Sequence, residues 1–406
     1  MSATASSPFL TIPMAPPDPI FGLTESFVAD SHPDKVNLGV GVYQDGNGKV
    51  PVLRSVRAAE KRWFEKEDSK SYLPIDGVPA YNKQVQNLLF GSASPFLVEG
   101  RAVTVETLGG TGGLKIGADF LKRFFPGSKI VISNPSWENH RALFESAGFV
   151  VENYAYYDKV NHGLDFDAML TDLTAQPDGT IVVLHACCHN PSGVDLSPVQ
   201  WDKIVSLFQT RNLVAFLDFA YQGFGNGIDE DAYAVRAFAN AGIQCLISNS
   251  FSKSFSLYRE RVGALTVLTT GPEESKRVLS QLKRVIRTNY SNPPSHGGQV
   301  VALILGDPEL RAEWEIELAE MRERILTVRT TFVDKLAAHG VDKDFGFIKT
   351  QKGMFSFAGL SLEAVHKLRS DYSLYIVDSS RICVAALNDK NIDRVCEAIA
   401  SVLKVV

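Results

Sequence analysis

The chain has 406 residues, of which 45% are hydrophobic and 21% are charged, and its formal net charge is −5 at pH 7. This composition indicates a globular protein with a large core, and the lack of a long basic run argues against nucleic acid or a membrane surface as the partner, so we expect a small molecule. The first Lys or Arg is Lys35 and no apolar stretch approaches the length of a membrane span, so we expect a cytoplasmic protein without a signal or transit peptide. The five cysteines, an odd number in apolar segments, are typical of reduced interior thiols.

The N-terminal region is rich in Pro and Ser. The cluster Ala15–Pro19 cannot continue a helix or a central strand, so we predict an extended arm over residues 1–34. A helical pattern follows from Leu53 to Phe64, and the turn-rich loop after it contains Tyr72, which by itself is an ordinary aromatic residue.

A glycine-rich segment lies between a strand and a helix. Val103–Leu108 predicts the strand, Gly109–Gly113 a tight turn, and Leu114–Phe125 the helix. Glycines let backbone N–H groups approach phosphate oxygens, and the amino end of a helix favours negative charge, so the segment is a candidate anion cradle. It matches neither the Walker loop nor the dinucleotide spacing, and a plain connecting turn is the alternative.

Four later segments share one theme, in which an apolar strand ends in polar or aromatic residues. Helical patterns separate them, which predicts parallel βαβ units whose loops open on one edge of a sheet. We therefore predict an α/β fold in which a mainly parallel sheet is flanked by helices. The side chains that the four strands deliver to this edge are Trp137 and His140, Asn190, Asp218 and Tyr221, and Lys253.

Lys253 lies among hydroxyl groups just past the predicted strand Cys245–Ile247. A lysine at such an edge can form a Schiff base with a carbonyl cofactor, and Ser250, Ser252 and Arg261 are the donors that a phosphate group would need. This combination points to pyridoxal phosphate. A solvated loop with a surface lysine is the alternative for this segment alone, but the convergence of the other side chains favours a functional site.

The segment His185–His189 contains two histidines and two cysteines, which invites a metal site. No second ligand pair follows at zinc-type spacing, and the side chains of adjacent cysteines diverge in an extended chain, so we expect no metal.

The last third of the chain begins with a predicted strand over Arg261–Leu268. The next helix ends in a rigid, donor-rich loop, where Arg287 is either solvated or faces a substrate. An apolar repeat every three or four residues from Asp307 to Gly340 predicts one long helix that bridges two domains. Strands and helices then alternate, with Arg381 expected just after a strand.

The chain resembles the class I aminotransferases, in particular the aspartate and aromatic-amino-acid aminotransferases. The resemblance runs from about Pro17 to the C-terminus. Tyr72-Leu-Pro-Ile and Thr107-Leu-Gly-Gly look more like the aromatic branch. The motifs that carry the resemblance are Asn37–Tyr43, Gly109–Gly112, Cys188–Pro191, Asp218–Phe224, Ser250–Lys253 and Tyr290–Pro294.

The resemblance implies the type I fold of pyridoxal-phosphate-dependent transferases and a homodimer with shared active sites. Its implied parts are an N-terminal arm (1–14), a small α/β domain (15–49 and 320–406) and a large cofactor-binding domain (50–319). The implied reaction is a ping-pong exchange of amino groups between tyrosine, phenylalanine or aspartate and 2-oxoglutarate. The alternatives are a strict aspartate aminotransferase, a lyase or decarboxylase on the same scaffold, and a non-catalytic regulatory protein that binds the cofactor.

The resemblance also implies roles for individual residues. Lys253 looks like the Schiff-base lysine that moves the substrate's proton, Asp218 like the acid at the pyridine nitrogen, and His140 like the support of that acid. Tyr221 and Asn190 match the pair at the cofactor's phenolic oxygen.

The remaining implied roles concern the ring, the phosphate and the substrate. Trp137 resembles the indole stacked on the cofactor ring; with Asn190 it also faces the substrate. Arg381, assisted by Gly41, looks like the clamp for the substrate's α-carboxylate, and the partner subunit's Arg287 like the reader of a side-chain carboxylate. The phosphate cup would comprise Gly110, Thr111, Ser250, Ser252, Arg261 and the partner subunit's Tyr72.

Two positions depart from the family pattern near Arg381. Ser380 and Ala386 stand where the family usually has glycine, and either substitution could shift the Arg381 loop.

Overall fold

The computed structural model describes residues 7–16 and 18–404, so the first six residues of the expected N-terminal arm and Pro17 lie outside the described part. Within it the helices are α1 (Phe21–Ala29), α2 (Arg54–Lys66), α3 (Pro79–Phe90), α4 (Pro95–Val98), α5 (Gly109–Phe124), α6 (Glu138–Ser146), α7 (Phe166–Thr174), α8 (Pro198–Thr210), α9 (Tyr233–Asn240), α10 (Pro272–Asn289), α11 (His296–Gly306), α12 (Pro308–Ala338), α13 (Leu362–Tyr372) and α14 (Ile392–Leu403). The strands are β1 (Val36–Asn37), β2 (Ala102–Leu108), β3 (Ile130–Asn134), β4 (Val151–Ala155), β5 (Tyr157–Asp158), β6 (Gly163–Leu164), β7 (Ile181–His185), β8 (Val214–Phe219), β9 (Cys245–Ser250), β10 (Val262–Leu268), β11 (Phe355–Phe357), β12 (Leu374–Tyr375) and β13 (Arg381–Cys383).

A seven-stranded sheet forms the centre of the molecule, in the order β2-β10-β9-β8-β7-β3-β4. The neighbours from β9 to β4 are parallel, whereas β10 is antiparallel to both of its neighbours. The four strands predicted to deliver functional residues are β3, β7, β8 and β9, and they are adjacent in the sheet. The predicted α/β fold with a mainly parallel sheet is confirmed.

Helices cover both faces of this sheet, as buried parallel strands require. Consecutive strand residues point to opposite faces, so Val183 and Phe216 enter the core shared with α5, α6 and α10. Leu184 and Leu217, one residue further along their strands, enter the core shared with α8, α9, α11 and α12. Both faces are therefore apolar, and the polar residues collect where the strands end.

Three local predictions were wrong. Residues 21–29 form helix α1 rather than an extended arm, because Leu23 and Phe27 pack on Tyr375 beyond the proline cluster. Gly109–Gly113 are the first turn of α5 rather than a turn before it. Arg381 begins strand β13 instead of following a strand, because β13 pairs with β11 in the register Phe357 to Arg381.

The predicted long helix is confirmed as α12, which has 31 residues. Its start is capped by Asp307, whose carboxylate accepts the backbone N–H groups of Glu309 and Leu310 at 3.0 Å. Near this end, Trp314 stacks on Phe255 at a centroid distance of 4.5 Å, and its indole donates to the carbonyl of Ser254 at 2.8 Å. The helix thus contacts the loop that carries Lys253.

The second half of α12 holds a different segment through Arg329, which is completely buried. Its guanidinium donates to the carbonyl oxygens of Lys352, Gly353 and Phe355 at 3.3, 2.7 and 2.7 Å. Strand β1 also pairs in parallel with β12, which joins the N-terminal and C-terminal parts of the chain.

The five cysteines are all free and buried, as the sequence predicts for reduced thiols. Among residues 7–16 and 18–404, no helix is both long and apolar enough to cross a lipid bilayer.

Candidate active site

Lys253 lies in the loop that follows β9, at the carboxyl edge of the parallel strands. Its Nζ atom stands 4.8 Å from the centroid of the Tyr221 ring. Burial lowers the pKa of Lys253 to about 8, and the positive charges of Arg261 and Arg381 act in the same direction, while Asp218 opposes them. At pH 7 a pKa of about 8 leaves roughly a tenth of this amine unprotonated, the form that proton transfer or attack on a carbonyl requires.

Asp218 comes from β8 and is buried beside His140. The His140 Nε2 atom donates to Asp218 Oδ2 at 2.9 Å, and the hydroxyl of Ser136 lies 2.9 Å from the other ring nitrogen of His140. Burial pushes the pKa of Asp218 upward, but the hydrogen bond with His140 and the neighbouring cationic groups together leave that pKa below its ordinary value. Asp218 is thus a fixed negative charge at the base of the site.

His185 fills the space behind this pair and is also buried. Its ring lies 5.1 Å from His140 and 4.4 Å from His189, and neither of its nitrogens has a hydrogen-bond partner among the described residues. Burial lowers the pKa of His185 to about 3, so the ring is uncharged near neutral pH.

Among the residues that the structure describes, two clusters of side chains have possible metal-ligating atoms within 4.8 Å of one another, namely His140 with His185 and Asp218, and Cys187 with Cys188 and Asp231. In the first cluster the hydrogen bond between His140 and Asp218 already occupies two of these atoms. In the second, burial raises the pKa of the Cys188 thiol to about 11, which disfavours the thiolate that a metal would need. The sequence prediction of no metal stays a prediction.

The start of α5 lies beside two hydroxyl groups and a guanidinium. A side chain on Gly109 would come within 2.6 Å of Arg261 Nη2, so only glycine lets this guanidinium lie against the helix start. The Nη1 atom of Arg261 donates to the hydroxyl of Ser252 at 3.4 Å, and the Ser250 hydroxyl accepts the N–H of Ser252 at 3.3 Å. Gly110 is packed against the side chain of Ser250.

This arrangement has the chemistry of a phosphate site. The first backbone N–H groups of a helix have no partner within the helix, and the helix dipole adds to the charge of Arg261. Thr111 and Arg261 line the same cavity of about 810 Å³, together with Trp137 and Tyr290. Trp137 stands at its wall, with its indole edge-on to His140 at a centroid distance of 5.3 Å.

Arg381 is close enough to Lys253 for its charge to help lower the pKa of that lysine, and it is almost completely buried. Its Nη2 atom donates to the carbonyl of Gly39 at 2.8 Å, and its Nη1 atom donates to Asn190 Oδ1 at 3.1 Å and to Glu138 Oε2 at 3.3 Å. The ring of Phe355 lies 4.3 Å from the guanidinium carbon. These contacts fix a planar cation that is suited to a carboxylate.

The backbone around Arg381 is compatible with the two departures from the family pattern. Ser380 has a φ of 67°, a conformation that glycine adopts most easily, and its hydroxyl accepts the N–H of Leu360 at 2.8 Å. Ala386 is buried in the short turn Val384–Ala386. Gly41 packs against Phe355, where a side chain would come within 2.6 Å of the ring.

Two predicted site residues lie apart from the others. Tyr72 is 94% exposed, and Arg287 is exposed with its guanidinium donating to Ser291. The other predicted residues form one connected group on this chain. Exposed positions are what residues offered to a second subunit would occupy, and this role stays a prediction.

The residues of this group that sequence reasoning missed include Glu138, Phe355 and Ser136. Glu138 and Ser136 flank Trp137 in the chain, so their place beside a predicted site residue was an available signal. Phe355 had no such signal, because only the pairing of β11 with β13 brings it to Arg381.

Comparison with known proteins identifies the family. The model of aminotransferase class I and II matches residues 33–399. An aspartate aminotransferase of Pseudomonas aeruginosa is 56% identical over 395 residues, which cover 97% of this chain and 99% of the relative. A crystal structure of an aromatic-amino-acid aminotransferase from Burkholderia pseudomallei, covalently bound to pyridoxal phosphate, superimposes on this chain with a TM-score of 0.95. The two sequences are 57% identical, and the match covers 98% of this chain and 100% of the relative. An aromatic amino acid aminotransferase from Psychrobacter, cocrystallised with aspartic acid, has a TM-score of 0.95 and 45% identity, with coverage of 98% and 100%. The chain therefore belongs to the class I and II aminotransferase family.

Proposed function

We propose that the protein is a pyridoxal-phosphate-dependent aminotransferase that exchanges amino groups between aromatic or dicarboxylic L-amino acids and 2-oxoglutarate. The observation that carries this proposal is Lys253, with a pKa lowered to about 8, beside the buried pair of Asp218 and His140. The relatives of known name, which are aspartate and aromatic-amino-acid aminotransferases, support it.

The residues present fit the cofactor. Its phosphate would be held by Gly110, Thr111, Ser250, Ser252 and Arg261, which combine helix N–H groups, hydroxyls and a guanidinium. When bound, pyridoxal phosphate supplies an aldehyde that accepts amino groups and a pyridine ring that accepts electrons.

The other side chains beside the site have complementary tasks. The ionised Asp218, held by His140, would keep a proton on the pyridine nitrogen, and Trp137 would cover one face of the ring. Tyr221 and Asn190 would donate to the phenolic oxygen.

Lys253 would carry the substrate's proton. Because burial lowers its pKa to about 8, the amine can take a proton from the substrate Cα and return it within the same site near neutral pH. Its place over the Tyr221 ring holds the amine near the reacting atoms.

We also propose the substrate contacts. Arg381 would bind the α-carboxylate of each substrate, with Asn190 and Gly41 beside it. The partner subunit's Arg287 would bind a side-chain carboxylate, and the partner subunit's Tyr72 would reach the phosphate. The exposure of both residues on this chain supports a homodimer with shared sites.

The domain bounds and location are part of the same proposal. Residues 15–49 and 320–406 form a small domain, supported by the pairing of β1 with β12, and residues 50–319 form the large domain. The arm expected over residues 1–14 falls partly on residues 1–6, which lie outside the described part of the chain, and the five free, buried cysteines support a location in the cytoplasm.

The test is a spectral half-reaction. Purified holoenzyme is mixed with tyrosine, phenylalanine or aspartate, and the yellow aldehyde form should convert to the amine form with release of the matching oxo acid. Release of carbon dioxide would favour a decarboxylase, no spectral change with any donor would favour a binding protein, and conversion by aspartate alone would favour a strict aspartate aminotransferase.

A further inference from the structure

A carboxylate of the protein itself is paired with the guanidinium that faces the substrate. Glu138 Oε2 lies 3.3 Å from Arg381 Nη1, and of the acidic groups in residues 7–16 and 18–404, Glu138 alone is within ion-pair distance of Arg381. The Arg381 side chain is 1% exposed, whereas the Glu138 side chain is 27% exposed. The pair therefore joins a fixed, buried cation to an acid that still reaches solvent.

The position of Glu138 is explained by its helix. It is the first residue of α6, where the helix dipole favours a negative charge, and it directly follows Trp137. Glu138 also lines the cavity that contains Thr111 and Arg261. A side chain at this rim can leave Arg381 without disturbing the core.

Arg381 does not need Glu138 to keep its orientation. The carbonyl of Gly39 and the amide oxygen of Asn190 already accept from both of its terminal nitrogens, and the Phe355 ring supports its face. An α-carboxylate would bind the guanidinium through two parallel hydrogen bonds, and Glu138 occupies one of the required nitrogens. A buried guanidinium without a counter-charge is costly, so the internal carboxylate stabilises the free enzyme.

We propose that Glu138 is an internal competitor for the α-carboxylate of the substrate, which must displace it from Arg381. This inference rests on the proposed function. Glu138 thereby lowers the affinity of the site for every carboxylate ligand and leaves the reacting atoms untouched.

The test measures binding of two unreactive acids to holoenzyme by calorimetry, which requires no turnover. The acids are 3-phenylpropanoate, which has an aromatic side chain, and succinate, which has a second carboxylate. Because an ion pair with one partner that reaches solvent contributes up to about 1 kcal/mol, Glu138→Gln and Glu138→Ala should each bind both acids roughly 3- to 5-fold more tightly than the wild type.

Glu145→Gln is the matched control. Glu145 lies on the same helix, is 49% exposed and pairs with Arg141, so its substitution removes one negative charge from α6 away from Arg381. Its binding constants should stay within about twofold of the wild type.

Three results would overturn the inference. The first is weaker binding of the two acids to the Glu138 variants, as expected if Glu138 positions Arg381. The second is unchanged binding of the acids to these variants. The third is a gain in affinity in the Glu145 control that equals the gain in the Glu138 variants. Failure of the proposed function would be seen in a different experiment. The wild type would then convert no amino donor to an oxo acid, whatever binding constants calorimetry gives.

Discussion

Glu106 provides a test of how burial controls charge in this fold. It lies in the middle of β2 and is 2% exposed, and its Oε2 atom accepts the N–H of Val78 at 2.9 Å. Gly77 and Gly298 pack directly against its carboxyl group. Burial raises the pKa of Glu106 from its ordinary value of 4.5 to about 7, although the N–H of Val78 opposes the change.

This raised pKa makes stability depend on pH in a defined direction. Between pH 4.5 and pH 7 the folded protein keeps a proton on Glu106 that the unfolded chain has lost. The stabilisation is thus complete below pH 4.5 and is lost as the pH rises through about 7. The gap between the two pKa values corresponds to about 3 kcal/mol.

Glu106→Gln removes this titration and keeps an oxygen that can accept the N–H of Val78. Urea unfolding followed by tryptophan fluorescence, at one protein concentration, gives the free energy of unfolding at pH 5 and pH 8. The stability of the variant relative to the wild type should rise by about 2 to 3 kcal/mol between these pH values.

The control is Glu99→Gln, whose side chain is 55% exposed, and its stability relative to the wild type should stay within about 0.5 kcal/mol across the same range. The reasoning would be refuted if the free energies of unfolding of Glu106→Gln and the wild type differed by the same amount at pH 5 and pH 8. Glu106 would then have the same pKa in the folded and unfolded states.

Four further predictions concern the proposed chemistry and the cofactor site. Lys253→Ala should still bind the cofactor's phosphate but lose turnover by at least roughly 10⁴-fold in single-turnover kinetics, and retention of a tenth of the activity would assign the chemistry to another lysine. Arg287→Ala should lower kcat/KM for aspartate by roughly 30- to 5,000-fold but that for tyrosine by less than about tenfold in its own half-reaction, and equal losses would reject Arg287 as the reader of the side-chain carboxylate. A mixed dimer of these two variants should keep one intact site, so an inactive heterodimer would contradict shared sites. Gly263→Ala would place a methyl group 2.7 Å from the backbone nitrogen of Gly110, so it should lower stability by about 1 to 3 kcal/mol and weaken cofactor binding in a fluorescence titration, whereas Gly271→Ala, with no atom within 4 Å, should do neither.

The sequence predicts the central sheet and the residues at its edge because each strand and the polar residues that follow it are neighbours in the chain. A strand such as β8 and the polar residues that end it, Asp218 and Tyr221, are neighbours in the chain, and parallel pairing then brings the ends of adjacent strands together. The loop with Lys253 follows the same rule. No contact between distant parts of the chain has to be known for these predictions.

Apart from Ser136, which contacts His140 only four residues further along the chain, the missed features depend on such distant contacts. Helix α1 is stabilised by packing on Tyr375, and Glu138 meets Arg381, which is 243 residues further along the chain. The first turn of α5 was predicted as a loop because glycine has a low helix propensity, but Gly113 packs so closely on the Ser248 side chain that a larger residue would not fit. Packing therefore overrode local preference at these positions.

Helix α12 makes the geometry of the site sensitive to small changes in its curvature. Trp314 holds the Lys253 loop and Arg329 holds the segment that supports Arg381, and 15 residues separate these two anchors, or about 22 Å of helix. A smooth bend of about 10° over this length would displace the far anchor by about 2 Å, enough to break a hydrogen bond. Because proline occurs in α12 only at its first residue, Pro308, and glycine does not occur, no single joint is favoured. A smooth bend of α12, made of slight stretching in many backbone hydrogen bonds, would therefore change the distance between the Lys253 amine and the Arg381 guanidinium.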